Sequence, residues 1–250
     1  MLNAVLHGTP TDKTPLLVAH GLYGSARNWG AIAKRLSDER QVTAIDMRNH
    51  GESPWYEAHG YPEMASDLAT SLDQPSDVLG HSMGGKAAMM LALNHPDRVH
   101  RLIVADIAPV TYGHSQLPMI DAMRQVDLDA VETRRDADDQ LAAHVAEPSV
   151  RAFLLQSLDV KGKRWRLNLD TLAAEMPKIM DFPEPTGRFD GPTLFLSGAN
   201  SDYVRREHRE RIKALFPGAR FAKIPGAGHW LHADQPRAFE AAVRAFLNAA

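Results

Sequence analysis

Residues 78–87 read VLGHSMGGKA. An apolar run ends at Gly80, and a single serine, Ser82, then stands between Gly80 and Gly84, with Gly85 behind it. A serine hydroxyl is a poor nucleophile until a base takes its proton, and it must also be reachable. A sharp strand-to-helix turn supplies that exposure. Such a turn crowds the backbone, so its flanking positions must be small, which is the mechanical content of G-x-S-x-G. Here the motif follows a strand pattern at 78–80 and opens a helix pattern at 83–94. The plainer reading of Ser82 is a glycine-rich turn whose serine caps a helix. The strand before it and the helix after it favour a nucleophile.

Outward from this turn, short apolar runs alternate with helical patterns. LLVAH (16–20), VTAIDM (42–47), VLG (78–80), LIVADI (102–107) and PTLFLSG (192–198) read as buried strands, and FAKI (221–224) is a weaker one. Near-continuous apolar strands are typical of a parallel sheet covered on both faces. Helix patterns fall at 27–36, 61–72, 83–94, 204–216 and 236–247, with Gly and Pro at the junctions. This alternation predicts an α/β fold with right-handed crossovers.

The rhythm breaks between Pro109 and Pro192, where no convincing strand is legible. The interval is rich in charge and helix formers. We expect a helical cap at 111–187, inserted after the sixth core strand over the carboxyl ends of the strands. The core is then 1–110 and 188–250. A separate helical domain is the alternative.

Two further stretches complete a chemical set. HGLYGS (20–25) follows the LLVAH strand. An attacked carbonyl oxygen becomes negative and needs N–H donors aimed at it. The backbone of Leu22 can supply one and that of Met83 the other. Near the end, GAGHW (226–230) follows the last strand pattern, and its small residues let His229 reach Ser82 as a base. His20, His50 and His81 sit near the same rim and read as supporting groups. His229 and His232 form H-x-x-H, but no carboxylate–histidine set accompanies them, so we expect no metal.

Bulk properties exclude other classes. The 250 residues carry a net charge of −3 with both signs interspersed and no cysteine. Nothing resembles the basic face that nucleic acids require. The first 15 residues lack a basic start and a long apolar run, so no signal peptide is read, and no window approaches a membrane span. A cytoplasmic protein is expected.

Together these pieces resemble the α/β-hydrolase superfamily over nearly the whole chain. The carriers are the H-G-L at 20–22, DMRNHGES (46–53), the elbow at Ser82 and the terminal GAGHW. DMRNHGESP, ADIAPV (105–110) and GANSDYV (198–204) look more narrowly like the YbfF-type esterases, whose members cleave acyl esters and acyl-CoA thioesters. The resemblance implies a serine esterase with the triad order Ser, acid, His. Most relatives place the acid three residues past the glycine matching Gly198. That position is Ser201 here, with Asp202 one residue later. The YbfF-type pattern instead uses the Asp matching Asp106, assisted by a serine matching Ser201. Asp106 is the preferred acid and Asp202 the alternative.

The cap is expected to shape the acyl pocket with Tyr112, Met119, Met123, Phe153, Leu154, Trp165 and Trp230, although ordinary core packing competes at each. Arg124, Lys161 and Arg164 could meet a phosphate-bearing leaving group, against the plainer reading of a solvated surface. The expected partner is a small acyl ester or thioester. No cofactor, nucleic acid or membrane is expected, and the chain is read as a monomer or homodimer. The same triad could also serve a carbon–carbon hydrolase, a perhydrolase or a menaquinone-pathway lyase. A small-molecule receptor is the non-enzymatic rival. Fold analogy does not choose among them.

Overall fold

The computed structural model describes residues 1–249. Ala250, the last residue of the expected core, lies outside them. Five strands come first: β1 (Ala4–His7), β2 (Leu16–Ala19), β3 (Val42–Ile45), β4 (Ser76–His81) and β5 (Val99–Ala105). A small hairpin, β6 (Leu158–Asp159) and β7 (Arg164–Trp165), stands apart. β8 (Thr193–Gly198) and β9 (Ala219–Ile224) complete the main sheet, in the order β1-β3-β2-β4-β5-β8-β9. Every pairing in it is parallel except β1 with β3.

Alternate side chains of the central strands feed two cores, as the period of two requires. Leu17, Ala19, Leu102 and Val104 face one cluster; Leu16, Val18, Ile103 and Ala105 face the other. The second cluster is closed by α1 (Gly30–Leu36), α10 (Leu231–Asp234) and α11 (Pro236–Leu247). The first is closed by α2 (Tyr61–Thr70), α3 (Met83–Asn94) and α9 (Arg209–Leu215). Residues 83–93 of α3 are all buried, as befits a helix packed on every side. The interval after β5 holds α4 (Leu117–Arg124), α5 (Arg134–Leu141), α6 (Pro148–Leu154), α7 (Leu169–Ala174) and α8 (Met176–Met180).

Three expectations need correction. The cap follows the fifth strand, not the sixth, because the stretch before β2 makes only one. The GTPTDKTP that separates β1 from β2 turns at Gly8 (φ +73°) and carries two prolines that cannot join a ladder. The interval read as strandless contains the β6–β7 hairpin, whose two-residue strands are too short to show a period. β4 begins at Ser76, two residues early, because the buried Asp77 disguises it. Asp77 accepts from Arg40 Nη1 at 2.8 Å, and its other oxygen meets His100 Nδ1 at 2.8 Å. The pair satisfies a charge that burial would otherwise penalise.

Candidate active site

Ser82 sits where β4 hands over to α3, at φ 52° and ψ −119°, a conformation that L-residues rarely adopt. The neighbouring glycines make this turn possible. A Cβ on Gly80 would lie 2.2 Å from the Gly84 carbonyl oxygen. One on Gly84 would lie 2.4 Å from the oxygen of His20, against the loop after β2. The small residues therefore admit backbone on both sides of the serine.

The loop after β9 carries His229 to this turn, and its Nε2 lies 3.1 Å from Ser82 Oγ. A Cβ on Gly198 would lie 2.2 Å from the Gly228 oxygen, so Gly198 makes room for that loop. The other ring nitrogen, Nδ1, meets Asp106 Oδ2 at 2.7 Å. Asp106 is fully buried after β5, at φ 53°. Its Oδ1 accepts from the Gly198 N–H at 3.0 Å, and its Oδ2 also accepts from Ser201 Oγ at 2.5 Å. Three donors on one buried carboxylate hold it in place.

Asp202 lies elsewhere. It is exposed, its carbonyl accepts from Arg205 Nε at 3.1 Å, and it lines a second cavity of about 280 Å³. Among the described residues its carboxylate makes no hydrogen bond to His229.

The N–H groups of Leu22 and Met83 have no hydrogen-bond partner among the described residues, and both residues line the main cavity beside Ser82. Two neutral imidazoles brace the loop that carries Leu22. His20 Nδ1 meets the Gly21 oxygen at 2.8 Å, while its Nε2 accepts from the Met47 N–H at 2.9 Å. His50 Nδ1 meets the Arg48 oxygen at 2.8 Å, and its Nε2 accepts from the Tyr23 N–H at 3.1 Å. Each ring must donate at Nδ1 and accept at Nε2, so each is the neutral Nδ1–H tautomer. Burial pushes both below the ordinary imidazole value. Tyr23 is itself held at φ 65°.

The cavity measures about 560 Å³. Tyr112, Met119, Phe153, Leu154 and Trp230 line it. Trp165 does not. It belongs to β7, and its indole Nε1 donates to the Met123 carbonyl at 3.0 Å. That bond turns Trp165 and Met123 into the packed interior of the cap, away from the cavity. His232 stacks on Trp29, with centroids 4.2 Å apart and planes at 16°. Arg124 and Arg164 pair with Asp170 and Asp159 on the surface.

Lys86 and Tyr203 are among the cavity residues that escaped the sequence. Lys86 lies one turn past Ser82 and is buried. Its Nζ donates to the carbonyls of Met180 and Asp181, at 3.0 and 2.6 Å. Burial pushes this ammonium down to about 7. Its place four residues after Ser82, one turn along, was the available signal. Tyr203 stacks on His229, and only its position two residues past Ser201 hinted at that.

A family model described as alpha/beta hydrolase fold matches residues 14–236. The chain is 45% identical over 246 residues to the sn-1-specific diacylglycerol lipase ABHD11 of Mus musculus, covering 93% of this chain and 80% of that protein. It is 40% identical over 245 residues to Esterase YbfF of Escherichia coli (strain K12), covering 95% and 94% respectively. A solved structure described as a marine microorganism esterase matches with a TM-score of 0.91 at 38% identity, covering 98% of each chain.

Proposed function

This chain belongs to the α/β-hydrolase fold family and is an esterase of it, and from that premise we propose that it cleaves small to medium acyl esters through an acyl-enzyme on Ser82. The observation that carries the reading is the unbroken hydrogen-bonded run from Asp106 through His229 to Ser82 beside a largely apolar cavity. Ser82 Oγ attacks the acyl carbonyl while His229 Nε2 takes its proton. Asp106 holds the ring with its proton on Nδ1 and offsets the charge that develops. The N–H groups of Leu22 and Met83 stabilise the oxyanion. His229 then protonates the leaving alcohol, which departs. Water, activated by the same imidazole, releases the acid and restores the serine. A thiolate leaves by the same route, so acyl thioesters fall within the proposed substrate class. No step calls on a cofactor.

The test is hydrolysis of p-nitrophenyl esters from acetate to palmitate, beside acyl-CoA thioesters and beside Ser82→Ala. A wild-type preference for one chain length, an acyl adduct on Ser82 by intact-mass spectrometry, and loss of turnover in the variant are expected. Turnover that survives Ser82→Ala would overturn the mechanism.

A further inference from the structure

We propose that Tyr203 is a positioning residue for the general base: its ring face fixes the imidazole of His229 and stabilises the protonated form that arises as Ser82 is acylated. The inference rests on the reading of His229 as the base. The two rings stack with centroids 4.0 Å apart and planes at 22°.

The stack is fixed from several sides. The Tyr203 N–H donates to Ser201 Oγ at 3.3 Å, and that hydroxyl in turn donates to Asp106. The Tyr112 hydroxyl donates to the Tyr203 carbonyl at 2.7 Å and accepts from the Ala108 N–H at 2.9 Å. The Tyr203 hydroxyl meets His114 Nε2 at 3.0 Å. One short loop thus serves both partners of the charge pair. Ser201 holds the carboxylate, and Tyr203 covers the imidazole.

The two supports act in different directions. Asp106 meets the imidazole in its plane, through Nδ1. Tyr203 meets it across the ring face, where an aromatic system carries negative charge and attracts a cation within about 6 Å. His81 also lies against the base, tilted, with centroids 4.9 Å apart at 42°. Its Nε2 donates to the His229 carbonyl at 2.8 Å, and burial holds it well below the ordinary imidazole value, so it adds no charge. The other titratable groups that bear on His229 are Asp106 after β5, His232 on α10 and His114 before α4. Lys86 of α3 lines the same cavity.

The direction of the pH effect separates this role from simple shielding. If the ring face stabilises the imidazolium, weakening that face moves the acid limb of kcat/KM to lower pH and lowers the plateau. If Tyr203 merely keeps water away, its loss lets water solvate the cation, and the limb moves to higher pH. The experiment replaces Tyr203 by Phe and then by phenylalanines carrying one to five ring fluorines, which drain the face and keep its shape. Tyr203→Leu removes the face altogether. The readouts are the acid limb on a short p-nitrophenyl ester and, free of turnover, the NMR titration of the imidazole in a Ser82→Ala background.

Along the fluorine series we expect a stepwise move of the limb to lower pH, reaching about half a unit to one unit, with a plateau about three- to tenfold lower. A limb that stays in place, or moves up, overturns the inference, and the fluorinated series decides it even if Tyr203→Leu does not fold. Activity that survives Ser82→Ala in the same assay would remove the triad reading and this inference with it. A triad-dependent enzyme whose limb ignores fluorination would remove this inference alone.

Discussion

Asp106 and Asp202 carry the same carboxylate, and their surroundings divide them. Asp106 is buried with three donors on its oxygens, one of them His229 Nδ1. Asp202 faces solvent. We therefore expect Asp106→Asn to lower kcat by about 10⁴, because an amide supports the wrong imidazole tautomer. Asp202→Asn should stay within about threefold, as a change to a solvated side chain does when no partner is lost. Steady-state kinetics of the two variants on one ester check this, and the reverse ranking would reassign the acid. Ser201→Ala removes one of the three donors, and a fall of roughly tenfold is expected, the scale of one hydrogen bond to a charged group.

Within the elements, the elbow depends on backbone approach. Gly80 and Gly84 are required by contact rather than by φ, since their missing Cβ atoms would meet backbone oxygens that cannot move aside. Gly80→Ala should cost about 1–3 kcal/mol of stability, the range for overpacking, and should lower kcat with it. Urea unfolding beside kinetics checks both. Gly30 has open space at its Cβ position on α1, so Gly30→Ala is the matched control and should keep activity and stability. Helices of the interval after β5 contribute to the cavity wall instead. Phe153 lies against Trp230, with centroids 5.3 Å apart, and both line the cavity. Phe153→Ala should enlarge it and shift the preferred ester toward longer acyl chains, read as kcat/KM across the p-nitrophenyl series.

At the scale of the molecule, buried titratable groups set how stability follows pH. Burial pushes His59 and His232 down to about 3 and holds His20, His50 and His81 below the ordinary value. Between those values and about 6.5 the unfolded chain binds more protons at these groups than the folded one, so their contribution to stability is full above about 6.5 and falls as pH drops. His59 alone accounts for about 2 kcal/mol at about pH 5 by this linkage. The urea midpoint should therefore fall steeply between pH 7 and pH 5, and His59→Gln should make the slope shallower. Lys86 works at the other end. The folded chain releases its proton near 7, and the unfolded chain keeps it until about 10.4, so stability gains as pH rises through that window. Lys86→Met should flatten the alkaline arm. No helix among the described residues is long and apolar enough to cross a membrane.

Much of this was written locally. The apolar runs set the parallel sheet because strands buried on both faces must be apolar throughout, and Gly80-His-Ser-Met-Gly84 marked the elbow because only small residues fit such a turn. Ser82 and His229 were legible from their glycine neighbours. The β6–β7 hairpin was not, because two-residue strands carry no period, and Trp165 read as a cavity wall until its indole turned inward to Met123. The sequence alone determined the fold class and the chemical types present, since periodicity and crowding are properties of short stretches. The tertiary structure decided which carboxylate faces His229, what stacks on it and where Lys86 ends. His229 meets Asp106 across 123 positions and Lys86 meets Met180 across 94, while Tyr203 and His229 come from loops after different strands, and only the packing of the whole sheet brings them together.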